Sequence, residues 1–516
     1  MPNEFPRVDG SLGLLSLAGA LEREGIQVDL LDASVGTLDD SLENTFNRHV
    51  MQENGLIRIG MTVERISEVI ASGGYNIVGI NSNFTPQTKM ALEVVQAVKS
   101  VSKDILVMAG GVNARSLPER FLNGGVDVVC NTEGENVIVN LVRAWEKGKS
   151  LDVSGTITMK DGGLVRRNPR VEGGLIQLGS KPDVLTELDG LPIPAWHKLP
   201  WAHYDSVDVS SAGRSFVKGK DRMASLMTSI GCWADCTFCH ISWEKENEKE
   251  SGGIGKLRYK SVDRVMEEVH RLHALGVRRL YFEDDSLLAK KKRVREIFTR
   301  VRGMGLKIAD VNGVNLVHFL KGGPSGPVID EEYLELLYDA GFDQIVFPVE
   351  SASQRILDKY ATGKLHHKYV NGKLVNPNGI DVIELVKVAT RVGITCPINM
   401  MIGFPDETEE EIISSIELGR RLVDAGAPYC SLFIPIPFPG STLFEMALRD
   451  GHLQPDFDTD MFNWREPTMR NTTVAPERIK ELQQWGWRGI NPQEYLRKRL
   501  EVDIGKRWKS GEPETA

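Results

Sequence analysis

Apolar positions in the first third of the chain alternate between two spacings. Leu12, Leu14, Leu15, Leu17, Ala18 and Leu21 recur at helical intervals, Gly25 ends the run, and the β-branched stretch 26–31 predicts a strand. The same pairing returns as a helix over 63–72 before a strand at 77–81, and a helix over 87–101 before a strand at 105–109 that stops at Gly110-Gly111. A helix at 118–122 then leads to a strand at 126–130, and Glu133-Gly134-Glu135 opens a helix ending near Trp145. Short continuous apolar strands separated by helices predict a parallel sheet covered on both faces. Ligands of such sheets sit beyond the carboxyl ends of the strands. Here those ends read Asp32-Ala33-Ser34, Ser82-Asn83-Phe84-Thr85, Gly110-Gly111-Val112 and Thr132-Glu133-Gly134, small and polar enough for backbone to approach a ligand. Ordinary turns of a doubly wound domain would read the same way.

The rhythm lapses between 150 and 221, where Pro192, Pro194 and Pro200 stand among Trp196, Trp201 and Tyr204, a composition that predicts a linker packed through aromatic contacts. It resumes at Ala224, with further strands predicted at 279–282, 307–311, 344–349, 396–401 and 429–434 and helical runs between them. Six strand–helix units predict a (β/α)6 partial barrel with function at its C-terminal rim. Beyond 450, Trp464, Trp485, Trp487 and Trp508 among many charges predict a helical cap or tail. The expected division is therefore 1–150, an α/β Rossmann-like doubly wound domain; 151–221, a linker; 222–450, a partial TIM barrel; and 451–516, the tail.

Composition narrows the function classes. The 516 residues carry a formal charge of −9 without a basic tract of the kind that marks nucleic-acid binding. No run of ~18 apolar residues suggests a membrane span, and the opening Met1-Pro2-Asn3-Glu4-Phe5 does not read as a signal peptide. Six cysteines, three of them clustered, argue against a disulfide scaffold and for a reducing, cytoplasmic setting, so the sequons at Asn83 and Asn471 carry no weight.

The clustered cysteines are Cys232, Cys236 and Cys239, spaced C-x3-C-x2-C just after the apolar stretch 223–230. Thiolates hold zinc or iron–sulfur clusters, and zinc ordinarily takes four ligands. His240 adjoins Cys239, but adjacent side chains seldom reach one metal, while Cys130, Cys396 and Cys430 lie at or in apolar strands, where cysteine behaves as a small hydrophobe. Three local thiolates suit a cubane cluster with one open iron; structural zinc and unligated thiols are the other readings.

C-x3-C-x2-C with Phe238 before the last cysteine resembles the cluster motif of radical S-adenosylmethionine (SAM) enzymes. Four later segments match in order: Tyr281-Phe282-Glu283-Asp284-Asp285, Val349-Glu350-Ser351-Ala352-Ser353, Met401-Ile402-Gly403-Phe404-Pro405-Asp406-Glu407-Thr408 and Ile434-Pro435-Ile436-Pro437-Phe438-Pro439-Gly440-Ser441. The resemblance implies a 4Fe-4S cluster on the three cysteines. It places Phe238, Asp284, Asp285, Glu350, Ser351, Ile402 and Pro435 at SAM, with Asp284 or Asp285 accepting from its ammonium group and Glu350 from its ribose. On the plainer reading Asp284-Asp285 is a strand end or helix cap and Glu350 a buried salt-bridge partner. His366 and His367 lie in a polar insertion, read as a surface loop with no assigned role.

The N-terminal third resembles the cobalamin-binding domain found in part of the same family, through 12–18, Gly110-Gly111-Val112-Asn113-Ala114 and Gly125-Val126-Asp127-Val128-Val129 followed by Glu133-Gly134-Glu135. That places Ser34, Ser82, Asn83, Phe84, Gly110, Gly111, Val112, Glu133 and Gly134 at cobalamin. Two departures stand out: the D-x-H-x-x-G signature is replaced by Asp32-Ala33-Ser34-Val35-Gly36, without histidine, and only 5–8 could form a strand before Leu12. The two domains together imply a cobalamin-dependent radical SAM methyltransferase. In that chemistry a 5′-deoxyadenosyl radical takes hydrogen from an unactivated carbon of a small molecule, which then receives a methyl group. A flavodoxin- or ferredoxin-type donor would supply the electron. Residues 188–196 resemble those of phosphonate C-methylating relatives. A cyclase or rearrangement enzyme using the same cofactors, and a non-catalytic cobalamin-binding regulator, are the alternatives.

Overall fold

The computed structural model of the protein describes residues 10–53, 55–168, 171–172, 175–176, 188–207, 221–310, 312–324, 326–364, 369–370, 373–374, 379–463, 466–497 and 514–515. Residues 5–8, Val311, His366, His367, Trp464 and Trp508, named above, lie outside them. No described helix is long and apolar enough to cross a membrane.

The N-terminal unit runs α1 (Leu12–Arg23), β1 (His49–Met51), β2 (Ile57–Ile59), α2 (Val63–Gly73), β3 (Ile77–Asn81), α3 (Thr88–Val101), β4 (Leu106–Gly110), α4 (Val112–Ser116), α5 (Pro118–Asn123), β5 (Val128–Cys130), α6 (Gly134–Glu146), β6 (Thr156–Lys160) and β7 (Gly163–Arg167). One sheet has the order β3-β4-β5-β6-β7, the first three strands parallel and the last two joined antiparallel. Along β4 successive side chains go to opposite faces. Leu106 and Met108 pack with Leu21 of α1 and Leu141 of α6, and Val107 and Ala109 with Ile66 of α2, Val95 of α3 and Phe121 of α5. Both faces are therefore covered, which is why these strands are apolar without alternation. Cys130 is buried here as a small hydrophobe, and burial pushes its thiol up to about 11.

Two segments differ from the reading of the sequence. Residues 26–31 form no ladder, although Ile26 and Val28 pack toward one side of the sheet and Leu31 and Ala33 toward the other. The stretch is only partly buried, so water can satisfy backbone groups that a central strand must pair. The hairpin β6–β7, in contrast, falls in the stretch read as linker and extends the sheet. Its amphipathic strands lack the continuous apolar signature of their neighbours, and the Asp161-Gly162 turn was its sequence signal.

The connection passes along α1, where Ala195 N–H donates to Leu15 O at 2.9 Å. Trp196 is buried, with its indole N–H on Ser225 O at 3.3 Å, and Trp201 meets Tyr204 edge-on, so the aromatic packing expected of this stretch is present around α7 (Trp201–Ser206).

The second unit contains β8 (Met223–Leu226), β9 (Ser229–Ile230), β10 (Asp235–Cys236), α8 (His240–Glu246), α9 (Glu248–Ser251), β11 (Arg258–Tyr259), α10 (Val262–Ala274), β12 (Arg279–Phe282), α11 (Lys291–Val301), β13 (Lys307–Asp310), α12 (Glu331–Asp339), β14 (Phe342–Gln344), β15 (Phe347–Glu350), α13 (Gln354–Tyr360), β16 (Ala361–Thr362), α14 (Val382–Val392), β17 (Ile398–Met401), α15 (Glu409–Asp424), β18 (Cys430–Phe433) and α16 (Thr442–Arg449). Strands β8, β12, β13 and β14 form one parallel run and β15, β17 and β18 another. The break falls inside the strand expected at 344–349, and a Gln344–Thr395 bridge spans it, leaving a partial barrel of six strand positions. Side-chain caps start the outer helices: Ser261 for α10, Asp381 for α14, and a Thr408–Glu411 capping box for α15.

The helical C-terminus covers the barrel's last edge. Helix α17 (Pro476–Ile490) packs on α15 and β18, and the Asn491 amide takes the place of a neighbouring strand. Its Oδ1 accepts from Cys430 N at 2.8 Å and its Nδ2 donates to Cys430 O at 3.0 Å.

Candidate functional site: a three-cysteine loop and an interdomain cleft

Leaving β8, the chain enters the cysteine loop at the rim of the barrel. Gly231 has φ +85°, and a Cβ there would stand 2.5 Å from Lys256 O, so the turn into Cys232 requires glycine. Neighbours fix the loop from several sides. Strand β10 pairs with β16 (Cys236 opposite Ala361), Thr237 N–H donates to Tyr360 O at 2.9 Å, and Leu443 N–H of α16 donates to Thr237 O at 2.7 Å. Burial and mutual repulsion raise the Cys236 thiol to about 11 and Cys239 to about 12; Cys239 feels both Cys236 and Cys232. Cys239 thus lies within electrostatic reach of both other thiols, and as thiolates the three would repel one another unless cationic iron stood among them. Among the described residues no three His, Cys, Asp or Glu side chains group tightly enough for a single metal ion. A donor set of three thiols carried on one short loop fits the chemistry of an iron–sulfur cluster.

The acidic strand end divides into separate tasks. Asp284 is fully buried and spends its carboxylate inside the protein. It accepts from Thr228 N at 3.0 Å, Thr228 Oγ1 at 2.7 Å and Ser229 Oγ at 2.6 Å, tying β12 to the entry of the cysteine loop. Asp285 accepts from Gly231 N at 3.1 Å, and burial, with Asp284 nearby, pushes it up to about 7. Glu283 turns toward the interdomain cleft and accepts from Ser225 Oγ at 2.9 Å.

Glu350 closes β15 in the left-handed region, φ +64°, an arrangement unusual for a non-glycine residue and typical of functional positions. It is buried and ion-paired with Lys364, a residue that sequence reasoning missed. Burial disfavours the Lys364 ammonium, but Glu350 and the nearby Cys236 and Cys239 outweigh it and keep it charged. Ser351 is buried 3.3 Å from Ser415 Oγ of α15. Ile402 is buried, its N–H on Phe433 O at 2.9 Å, and Pro435 is buried just past β18. Phe238 leans on Phe404 with ring centroids 6.1 Å apart, and Phe404 stacks on Tyr360 at 4.3 Å. Glu407, which the sequence reading gave no role, is fully buried; its Oε2 accepts from Gly403 N at 2.6 Å and Phe404 N at 3.1 Å.

Between the two units lies a cleft of about 1020 Å³, at the upper end of ligand-site volumes (~300–1,000 Å³) and suited to a macrocycle. Ser34, Asn83 and Phe84 are among its walls, as are Met227, Glu283 and Asn312 of the barrel, Tyr204 of the linker and Met461 of the C-terminal segment. Phe84 and Met461 expose 53% and 44% of their surface, so apolar walls stand open to a ligand. Among the described residues, no wall residue is a histidine. Tyr204 Oη donates to Asp32 at 2.6 Å, fixing the turn that carries Ser34.

The other residues expected at cobalamin lie off these walls. Ser82 is buried and accepts from Asn113 Nδ2 at 2.8 Å. Gly110 ends β4, and Gly111, at φ +98°, brings its backbone so near the β3 loop that a Cβ would meet Ser82 O at 2.4 Å. Val112 and Gly134 begin α4 and α6. Glu133 forms a two-bond ion pair with Arg258 of β11, one bond 3.0 Å long. With Arg115–Glu244, Asn131 Nδ2 to Glu250 O (2.7 Å) and Thr132 Oγ1 to Ser251 O (2.8 Å), it docks the sheet's carboxyl edge on the segment that follows the cysteines.

A partial barrel with a three-cysteine loop at its rim points to one class, and the comparisons agree: the radical SAM superfamily profile matches residues 226–419. The chain is a radical SAM enzyme, and because the B12 binding domain profile matches residues 10–142, it belongs with the cobalamin-binding members of that group. Its cofactors are accordingly a 4Fe-4S cluster, SAM and cobalamin. An uncharacterized methyltransferase, PH0819, of Pyrococcus horikoshii is 27% identical over 87% of this chain and 87% of its own length. The cytidylyl-2-hydroxyethylphosphonate methyltransferase of Streptomyces wedmorensis is 27% identical over 88% of this chain and 80% of its own. Among solved structures, the radical SAM methyltransferase TsrM of Kitasatospora setae, with tryptophan and a SAM analogue bound, superposes with TM-score 0.60 at 17% identity, covering 87% of this chain and 75% of that one. The cobalamin-dependent radical enzyme OxsB, with aqua-cobalamin and SAM bound, gives 0.56 at 18% identity over 94% and 60%. At these identities the structures speak for the fold.

Proposed function

We propose that this enzyme transfers a methyl group from SAM, by way of cobalamin, to an unactivated carbon of a small molecule in the cytoplasm, drawing electrons from an external one-electron carrier. The observation that carries the reading is the cleft: Ser34, Asn83 and Phe84 of the B12-binding unit face Met227, Glu283 and Asn312 of the radical SAM rim across one space. When bound, the cluster supplies the electron that cleaves SAM, and cobalamin carries the methyl group.

The chain's own residues do the positioning. Cys232, Cys236 and Cys239 would hold the cluster, their loop locked by Asp284 through Thr228 and Ser229. Asp285 offers a carboxylate at the loop's entry, and Glu350 one beside Cys236. No described residue of the cleft walls offers an imidazole to cobalt. Glu133 supports the reading through domain docking.

The test needs no substrate. Reconstituted full-length protein with cobalamin, reductant and SAM bearing a deuterated methyl group should place the label on the corrin, seen by mass spectrometry, and should release 5′-deoxyadenosine. Deoxyadenosine release with no labelled corrin would favour radical chemistry without methyl transfer. A relative with 22% identity over 80% of the chain, the anaerobic magnesium-protoporphyrin IX monomethyl ester cyclase of Rubrivivax gelatinosus, bears a name of that kind.

A further inference from the structure

The chain is acidic, yet Lys290, Lys291, Lys292 and Arg293 follow one another at the start of α11. Lys291 is consumed by Asp330 at 2.6 Å, whereas Lys290, Lys292 and Arg293 pair with no carboxylate among the described residues. Lys290 and Lys292 are exposed. The patch is fastened to the root of the cysteine loop by two contacts. Arg293 Nη2 donates to Thr228 O at 2.8 Å, and its Nε donates to Lys260 O at 2.8 Å. The Lys290 ammonium lies 4.0 Å from the ring centre of Tyr259, with the Arg293 guanidinium 5.4 Å from it. Tyr259 pairs with Ser229 in the β9–β11 ladder, three residues before Cys232, whose N–H donates to Gly255 O at 3.2 Å in the segment leading to β11. A basic surface, one aromatic ring and a cluster cysteine therefore stand in succession.

We infer that the face formed by Lys290, Lys292 and Arg293 over Tyr259 is the docking surface for an acidic one-electron carrier protein, which reduces the cluster through the Cys232 side. The inference rests on the reading of the cysteines as cluster ligands. The carrier loses one electron and the cluster gains one; no bond forms or breaks. Charge complementarity favours this occupant, since exposed positive side chains that no described carboxylate neutralises attract an acidic surface and steer its approach. A nucleic-acid substrate is the weaker occupant, because its reacting group would have to enter the interdomain cleft, and none of these residues is among the cleft walls.

The experiment is anaerobic stopped-flow reduction of the reconstituted full-length enzyme, followed by cluster absorbance, with two donors: a reduced acidic flavodoxin and reduced methyl viologen, a small cation. The Lys290→Glu/Lys292→Glu variant, and Lys292→Glu alone as the milder change at an exposed side chain, are compared with the parent. Expected is a fall of about tenfold or more with flavodoxin for the double variant at low salt, a smaller fall for the single variant, no fall with methyl viologen, and convergence of all rates at ~1 M salt. Unchanged flavodoxin rates overturn the inference. Equal falls with both donors overturn it too, assigning the lysines to the cluster's own surroundings. Retention of a ~20-nucleotide RNA that both variants lose, with flavodoxin rates untouched, would overturn it in favour of nucleic acid. Failure of the parent to form a cluster that either donor reduces would instead fault the underlying reading of the cysteines.

Discussion

Glu133→Gln tests whether this residue docks domains or meets cobalamin. The Arg258 side chain is only 4% exposed and Glu133 11%, and two hydrogen bonds join them. Burial works against the Arg258 charge, the surrounding carboxylates, Glu133 foremost, more than offset that, and the guanidinium is held above its ordinary range. Removing one partner of a buried pair costs ~3–5 kcal/mol because the other charge is left uncompensated. Glu135 and Glu244 also act on Arg258, so about 3 kcal/mol, the lower end, is expected. Arg258→Met should cost a similar amount, and the double variant less than the sum, leaving a coupling of ~1.5–3 kcal/mol. Urea unfolding of the cobalamin-free protein, monitored by tryptophan fluorescence, measures all four corners. Cobalamin titration of the same proteins, followed by absorbance, should show a weakening that Arg258→Met shares. A Glu133→Gln protein with unchanged stability, zero coupling to Arg258 and weakened cobalamin binding of its own would refute the docking argument.

Three further outcomes are expected. Gly111→Ala places a methyl group 2.4 Å from Ser82 O at φ +98° and should destabilise the N-terminal unit by ~2–4 kcal/mol, read as a lowered melting temperature. Glu407 is held at about 7, mainly by burial, well above the ordinary carboxylate value. Its contribution is therefore complete below pH ~4.5 and is lost as pH rises through about 7, so Glu407→Gln should flatten the fall of thermal stability between pH 5 and 8. Cys236→Ala should abolish the cluster's visible absorption and lower bound iron after reconstitution, while stability of the iron-free protein shifts by only ~1 kcal/mol.

Much of the architecture was readable from spacing. Strands β4 and β5 are buried on both faces, and continuous apolar runs are what such burial demands. The hairpin β6–β7 escaped because its strands are half solvated, and 26–31 was over-read because an apolar run does not guarantee a hydrogen-bonding neighbour. The three cysteines stood out in the sequence because thiols spaced on one short loop are a common way to hold a cluster. Lys364 carried no such signal: its importance comes from facing Glu350, fourteen positions earlier, across a rim that only folding creates.

By itself, then, the sequence determined the radical-enzyme rim and the two-domain order, since local periodicity and closely spaced ligands are properties of the chain. Tertiary structure decided which carboxylates are free. Asp284 and Asp285 are adjacent in sequence, yet Asp284 is saturated by Thr228 and Ser229, and Glu133, which in sequence reads as a ligand turn, is held by Arg258, 125 residues away. A carboxylate's role follows from the donors around it, and those donors come from distant segments that only folding brings together.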